Sequence, residues 1–367
     1  MNDTLQRKQL ITLMAIALLS PIIRQMPTAM VRMGGGGAWL SALLALPAVL
    51  LMGALSCDLL RERDLAAALE YGFGKSIGRA VTLLMTAWLG FYLGFVLRSS
   101  ADRFVTTVYP EHSVWVFVAV LAAMVLLAQS GSLRQLGRLG QAVEPFLLLF
   151  FLLLPALVLP QADISLVKPE KGDLPGLVKG IFPVADTLCV GVFGGFLEGQ
   201  TEEQPRLKGL LLPIWSFTAL IALLCISTVG VFGAELTGAL YYPFFVLLRN
   251  VKLPGFLERV EALLVAQWLS ADFILAALLL RICEGNLARL GLWKDRMWRR
   301  VALCMAVALL SAVFCADSSY ALLRLTERVV PKVNAALVFG VVPACWICSH
   351  ISKPSPSGKV ARRSRDG

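Results

Sequence analysis

Charged side chains inside long apolar runs are the residues of this sequence with the clearest chemical meaning. Arg24 and Asp272 each lie well inside an apolar run, and Arg98 and Asp102 lie four residues apart in another. A spacing of four places two side chains on the same face of a helix. Because a charge in lipid is costly, such residues must face protein, water or a ligand. They could bind a small charged ligand, or form an internal ion pair such as Arg24 with Asp102 or Asp272.

Ligand binding and internal ion pairing are not equally favoured for all of these residues. Arg98 and Asp102 approach one end of their apolar run, which favours a structural or gating role over direct ligand contact. For Arg24 and Asp272 both alternatives stay open, and Arg24 could offer a fixed positive charge to an anionic group. Asp186 is a secondary candidate of the same kind.

Other reactive residues do not combine into a recognisable active site. The two histidines lie at the ends of apolar runs, and no Ser/His/Asp or paired-carboxylate arrangement can be drawn. The eight cysteines lie within or at the ends of apolar runs, where cysteine behaves as a small hydrophobic residue. Cys345 and Cys348 have the spacing of a metal or redox motif, but a second cysteine pair is missing. The sequence therefore predicts no enzyme activity, no metal and no cofactor.

The composition places these charged residues in a membrane protein. Of the 367 residues, 57% are hydrophobic and 16% are charged, which is too few charges to cover a soluble globule of this size. Ten apolar runs approach the roughly 20 residues that cross a bilayer. They are called span one to span ten here and comprise residues 10–33, 39–57, 80–108, 114–128, 142–159, 181–197, 210–232, 262–282, 301–315 and 333–348.

Such spans must be helical, because every backbone polar group in lipid needs a partner within its own segment. The fold class is therefore an all-α polytopic membrane protein. Residues 1–352 are predicted to form a single transmembrane domain, and residues 353–367 a basic cytoplasmic tail.

Basic residues predict how the spans are oriented. Arginine and lysine concentrate before span one, in every second loop, and after span ten, with the densest cluster between spans eight and nine. Because cytoplasmic loops carry the excess of basic residues, both chain ends are predicted to be cytoplasmic. The net charge of +10 then reflects a basic rim that faces anionic lipid. The lipid bilayer is thus a predicted partner, and nucleic acid is not.

Spans one and six each contain residues that interrupt a helix. In span one, Pro21 removes a backbone hydrogen bond close to the middle of the membrane. In span six, glycines between residues 190 and 196 lower the cost of unwinding. Interrupted helices at matching positions indicate an inverted-repeat transporter fold, here with repeats at about 8–160 and 175–350. The alternative is a proline kink combined with close helix packing at small residues.

Backbone groups freed at two such breaks could bind the carboxylate and ammonium of a small zwitterion. Spans three and eight are expected to form the walls of this site. The predicted ligand-binding residues are Ser20, Pro21, Ile22, Ile23, Arg24, Val190, Gly191, Gly194, Gly195 and Asp272.

One longer segment carries a family signature. Residues 242–263 contain Pro-Phe, then Arg, then Pro-Gly-Phe-Leu-Glu-Arg, and Trp268 and Phe273 follow. This pattern resembles the B-subunit family of spore germination receptors, a branch of the amino acid-polyamine-organocation transporter superfamily. Shorter matches occur in the same order along most of the chain, at residues 20–27, 35–39, 97–110, 138–139 and 163–165.

The resemblance implies a ten-helix LeuT-like fold with helices one and six broken. It also implies a subunit that binds a small germinant, such as an amino acid, at the midplane and triggers germination. Its implied partners are an A-type subunit and a lipoprotein C-type subunit in the spore inner membrane. In the signature segment, Pro243, Glu258 and Arg259 are predicted to gate the site together with Arg98 and Asp102.

The sequence departs from the family pattern at the first break. Ser20, Pro21 and Ile22 replace a flexible Gly-x-Gly, and Arg24 replaces an apolar residue, so the ligand pocket is expected to differ. An amino acid secondary transporter coupled to protons or sodium ions is the alternative function. A structural membrane scaffold is a third.

Overall fold

The computed structural model describes residues 4–169, 174–250, 260–293, 296–315 and 318–351, without the side chains of Arg24, Gln25, Val260, Glu261 and Cys315. Within these ranges the secondary structure is helical, apart from an isolated β-bridge between Leu5 and Thr201. The predictions for Glu258, Arg259 and the tail at 353–367 lie outside the described residues, as does the role predicted for the Arg24 side chain.

All ten predicted spans are helices where the chain is described. Eight helices are long and apolar enough to cross a membrane, the bent span one makes a ninth, and the 15-residue span four is a shorter tenth. The prediction of a multi-pass all-α membrane protein is thereby confirmed. The spans are Arg7–Gly34, Trp39–Leu59, Lys75–Thr107, Val114–Ala128, Leu133–Val158, Leu174–Cys189 with the 3₁₀ helix Val190–Gln200, Leu207–Ala239, Val260–Arg289, Met297–Cys315 and Ser319–Ile351.

Shorter helices connect the spans. They are the α-helices Leu65–Phe73 and Pro243–Asn250 and the 3₁₀ helices Gly35–Gly37, Leu159–Gln161 and Ile164–Val167. Gly74 separates Leu65–Phe73 from span three with a φ of 83°, a conformation that glycine adopts without steric cost. Span ten alternates between helix types and is π-helical at Leu325–Val329 and Ala336–Val341.

Span one lies at the centre of the bundle. It packs against spans five, six, seven and eight, while span three packs against spans eight and nine. Glycine allows the closest of these approaches: a Cβ atom on Gly94 of span three would lie 2.0 Å from the carbonyl oxygen of Ala308 in span nine. The core is therefore built around span one, and any movement of this helix must disturb several neighbours.

Both predicted breaks are present. Span one bends by 54° between Arg7–Ile23 and Met26–Gly37. Residues 20–23 remain α-helical, and the bend follows them because the ring of Pro27 displaces the carbonyl group of Ile23 one turn earlier. Span six changes from an α-helix to a 3₁₀ helix after Cys189, where its glycine-containing segment begins. The predicted fold with broken spans one and six is confirmed.

Candidate functional site

A buried polar cluster joins span one to spans three and eight, one turn before the bend. Arg103 Nη2 donates a hydrogen bond to Asp272 Oδ2 at 2.6 Å and another to Ser20 Oγ at 3.2 Å. The Ser20 hydroxyl donates to the second carboxylate oxygen of Asp272. The exposed fractions of Ser20, Arg103 and Asp272 are 0%, 0% and 1%. This Ser20–Arg103–Asp272 cluster forms a closed, charge-neutral link in the middle of the bundle.

Aromatic rings extend from this cluster to the signature segment. The Arg103 guanidinium lies 4.8 Å from the ring centre of Trp268, within the range of a cation–π contact. The Trp268 ring is in turn 5.7 Å from Phe245 and 6.4 Å from Tyr242. Phe245 belongs to the helix Pro243–Asn250, in which Pro243 is buried. The helix Pro243–Asn250 of the predicted gating segment therefore packs against Trp268, which in turn contacts the cluster.

A second ion pair lies on span three. Arg98 Nη1 donates to Asp102 Oδ1 at 3.2 Å, as the four-residue spacing predicts, and Ser319 Oγ donates to the same oxygen at 2.7 Å. The two carboxylates suggested as partners of Arg24 are paired with arginines of span three, Asp102 with Arg98 and Asp272 with Arg103. Whether Arg24 also contacts them lies outside the described residues.

Arg103, the residue that organises the cluster, was not among the residues predicted from the sequence. The signal was present: a charged residue within an apolar span needs a buried partner, and Arg103 directly follows Asp102. A pairing of Arg103 with Asp272 could not be deduced, however, because they lie on different helices.

Spans one and six are joined at the end that carries Arg7, which is called the Arg7 end here. The Arg7 guanidinium forms an ion pair with Glu198, and both side chains are largely buried. The backbone N–H of Leu5 donates to Gln200 O at 2.7 Å, and the N–H of Glu202 donates to Leu5 O at 3.1 Å. This contact was not predicted from the sequence, although Arg7 begins span one and Glu198 follows the glycine segment of span six.

The glycines of span six line a cavity of about 140 Å³ near this end, together with Met14 and Leu18. A Cβ atom on Gly194 would lie 2.8 Å from Met14 Sδ, and one on Gly195 would lie 2.8 Å from Leu60 Cδ1. Close helix packing therefore explains these two glycines. On Gly191 the nearest atom would be Leu18 Cδ1 at 3.9 Å, so packing alone does not require a glycine there.

The remaining predicted ligand-binding residues have contrasting surroundings. Ser20 and Asp272 are brought together, whereas Ile22 and Ile23 are buried in the apolar core at 0% and 4% exposure. Pro21 and Val190 are also buried.

The opposite ends of spans one and six enclose a larger cavity, of about 380 Å³. This end is called the Arg32 end. Arg32 forms an ion pair with Glu327 of span ten and donates from Nε to Gly238 O at 2.7 Å. Asp186 of span six is 5% exposed, and its Oδ1 has no hydrogen-bond partner among the described residues. The walls of this Asp186 cavity also include Thr28, Ala29, Met33, Phe182, Pro183, Tyr241, Tyr242, Leu323, Thr326, Arg328, Pro331 and Lys332.

The described residues contain no group of three or more histidine, cysteine, aspartate or glutamate side chains that could hold a metal ion. The cysteines described are free thiols, including Cys345 and Cys348. The chemistry available at the breaks is accordingly ion pairing, hydrogen bonding and cation–π contact.

Comparisons with known proteins agree on the family and the fold. The sequence profile of the spore germination protein family, also called spore permease, matches residues 4–318. No curated individual protein matches the chain.

Solved structures of low sequence identity share the fold. The manganese transporter of Eremococcus coleocola, solved with an aromatic bis-isothiourea substituted compound, has a TM-score of 0.59 at 14% identity over 94% of this chain and 85% of that chain. MhsT in complex with L-phenylalanine gives 0.58 at 13% identity, with 96% and 93% covered. Mhp1, a nucleobase-cation-symport-1 family transporter in a closed conformation with bromovinylhydantoin bound, gives 0.56 at 14%, with 95% and 80% covered. These likenesses establish a LeuT-type transporter fold.

Proposed function

Because this chain belongs to the spore germination protein family, we propose that it is the transporter-like membrane subunit of a nutrient-germinant receptor. In this proposal a small germinant, such as an amino acid, binds between spans one and six and triggers germination. The receptor lies in the spore inner membrane, with both ends of this chain cytoplasmic. The partners are an A-type subunit and a lipoprotein C-type subunit.

The unequal ends of spans one and six are the observation that supports this function best. The two spans are joined at the Arg7 end by Arg7 and Glu198 and are separated at the Arg32 end by a cavity of about 380 Å³. In transporters built from inverted repeats, solutes bind beside broken helices, and access alternates as one part of the bundle moves against the other. A receptor can use the same movement as its signal.

Within this proposal, the residues of the two breaks have separate roles. Arg103 donates hydrogen bonds to Ser20 and Asp272, and these bonds fix the position of span one beside its bend. Gly191 lies where span six changes helix type and allows that change to extend or retract. The germinant binds on the Arg32 side of these residues, and Arg98 with Asp102 holds span three against span ten.

Deletion and complementation in spores test the proposed function. Spores that lack this chain should lose germination in response to at least one amino acid, and the native gene should restore it. If every nutrient still triggers germination at its usual concentration, the receptor function is wrong. Uptake of the same amino acid into proteoliposomes that contain the purified chain would instead support the secondary transporter.

The proposed orientation has its own test. In a cysteine-depleted background, single cysteines replace Lys168, between spans five and six, and Lys208, in the first turn of span seven; both lysines are exposed. A membrane-impermeant maleimide added outside sealed cells should label Lys168→Cys only. The reverse pattern would invert the topology.

A further inference from the structure

Asp186 is a buried carboxylate that the mechanism above does not use. It is 5% exposed, and Oδ1 lacks a hydrogen-bond partner within the described ranges. Burying a carboxylate without a partner is unfavourable, so such a group is retained where something else supplies the partner. Asp186 is one of the residues that line the Asp186 cavity, where a bound solute can supply this partner.

The other walls of the cavity complement this carboxylate. Tyr241 and Tyr242 contribute aromatic rings 4.3 Å apart, and aromatic faces attract ammonium groups. Arg328 and Lys332 contribute positive charge from span ten, where both residues are exposed. The cavity therefore has a buried negative group on span six and exposed positive groups on span ten.

The span-ten wall is itself irregular. Thr326, Glu327 and Arg328 belong to the π-helical stretch Leu325–Val329. Single π-helical turns within α-helices are rare and are often found at functional sites. The irregular turn thus coincides with the wall that carries the positive charges.

We propose that the Asp186 cavity is a recognition site for a small solute with a primary ammonium group, which Asp186 binds, and a carboxylate, which Arg328 and Lys332 attract. The proposal rests on the proposed function and adds the chemistry of the ligand to it. Two acidic residues line the cavity, and Glu327 is already paired with Arg32, which leaves Asp186 for the ligand. A single carboxylate suits an ammonium group better than a divalent metal ion. A volume of about 380 Å³ is at the small end of ligand pockets and accommodates a solute of amino acid size.

Binding to the purified full-length chain tests this site with three probes of nearly equal shape. L-leucine carries both charges, 3-methylbutylamine carries the ammonium alone, and 4-methylpentanoate carries the carboxylate alone. Radiolabelled L-leucine is measured by equilibrium dialysis, and the other two probes are used as competitors. We expect the amine to displace L-leucine and the acid to fail, because the buried group is a carboxylate. Failure of both L-leucine and the amine to bind at millimolar concentration would overturn the proposal.

Asp186→Asn keeps the shape of the side chain and removes its charge. It should weaken binding of L-leucine and of the amine roughly tenfold or more, because a charge-assisted hydrogen bond is lost. The double variant Arg328→Gln with Lys332→Gln should weaken L-leucine and leave the amine unchanged. Unaltered affinity in Asp186→Asn would show that the ammonium binds elsewhere.

Two controls separate ligand binding from stability. Asp163→Asn makes the same change on an exposed carboxylate outside the cavity, where it accepts a hydrogen bond from Ser165 N, and should leave binding unchanged. Without probe, Asp186→Asn should unfold at the same temperature as the native chain or higher, because no internal partner is lost. A lower unfolding temperature would assign Asp186 a structural role and contradict the proposal.

The receptor function can fail or stand independently of this site. If spores require the chain for germination but the purified protein binds neither L-leucine nor the amine, only the ammonium site is wrong. If the probes bind as expected but deletion leaves germination intact, the site stands and the receptor function is wrong.

Discussion

The two ends of spans one and six are held by different means. At the Arg7 end, a largely buried ion pair and backbone hydrogen bonds to Leu5 join the two spans directly. At the Arg32 end, the ion pair of span one goes to Glu327 of span ten and is partly exposed, and a cavity separates span one from Asp186 of span six. The same two helices are thus closed against each other at one end and parted at the other.

This difference indicates which contacts must break when spans one and six move against each other. The polar contacts that close the Arg7 end are few, so a second state that opens it must break the ion pair of Arg7 with Glu198 and the backbone hydrogen bonds of Leu5, and must also separate the side chains packed there. The Ser20–Arg103–Asp272 cluster lies between the two ends and ties span one to spans three and eight. The cluster is therefore expected to act as the fixed point about which the two halves of span one move.

The largest effect is predicted for loss of charge balance in this cluster. Asp272→Asn leaves the guanidinium of Arg103, 0% exposed, without its counter-charge. Breaking a buried ion pair from one side costs about 3 to 5 kcal/mol, so we expect a strongly lowered unfolding temperature in detergent and little protein in the membrane.

The double variant Arg103→Leu with Asp272→Leu provides the control for this prediction. It removes both charges and should recover most of the lost stability, because apolar residues can replace a buried ion pair. A single variant as stable as the native protein would show that the cluster does not fix span one.

A smaller effect is predicted at the Arg7 end. Glu198→Gln removes the charge that pairs with Arg7, which should favour separation of spans one and six there by about 1 to 2 kcal/mol. Met14 lines the cavity just behind this contact, so Met14→Cys can report opening. Its labelling rate by a permeant maleimide should rise about tenfold, since 1.4 kcal/mol corresponds to a factor of ten.

The matched control for this variant is Glu203→Gln. Glu203 is exposed and follows the same segment, without an ion pair among the described residues. Its substitution should leave the labelling of Met14→Cys unchanged. Equal acceleration by both variants would show that general loosening, and not the contact of Arg7 with Glu198, controls access.

The sequence predicted the fold well because the relevant signals are local. An apolar run specifies a span by its length, and the glycines of span six act within a turn of their own positions. In span one the break was predicted at Pro21, whereas the bend lies between Ile23 and Met26 and is explained by Pro27. The site was only partly predictable. Asp272 was recognised as a functional candidate from its depth in span eight, but its partner Arg103 lies 169 residues away on a helix whose placement no local pattern reveals.

Neither cavity could be predicted from the sequence, for the same reason: local patterns do not reveal how the helices pack. Gly194 and Gly191 look alike in sequence, yet one lies against Met14 and the other has space around it. Within the described residues, Asp186 differs from the buried carboxylates of Asp102 and Asp272 because no arginine pairs with it, and this depends on every helix nearby. The residue types identified Gly191, Gly194 and Asp186 as candidates. Only the packing shows whether such a residue is needed for close helix contact or is available for a function.

A third effect, smaller than the one at the Arg7 end, is predicted at Gly191, where span six changes helix type. Gly191→Ala fits the available space and favours continuous helix over an unwound segment by about 1 kcal/mol, which shifts a two-state equilibrium roughly fivefold. The germinant concentration for a half-maximal response should rise by this factor at normal membrane abundance. Gly285→Ala, in the continuous helix of span eight with no atom within 4 Å of its new Cβ, is the control and should respond normally. Equal responses of the two variants would make span six an ordinary packed helix.

The smallest effect is predicted at the Arg32 end. Arg32 and Glu327 have side chains that are 39% and 33% exposed, and exposed ion pairs contribute about 0.2 to 1 kcal/mol. Glu327→Gln should therefore lower the unfolding temperature slightly in dilute buffer and by less in about 1 M salt, because salt screens exposed charges. Arg32→Gln should cost more than Glu327→Gln at both salt concentrations, because Arg32 Nε also donates to Gly238 O at 2.7 Å. If Glu327→Gln instead destabilised the protein as much as Glu198→Gln, the two ends would be held equally firmly, and the asymmetry between them would be lost.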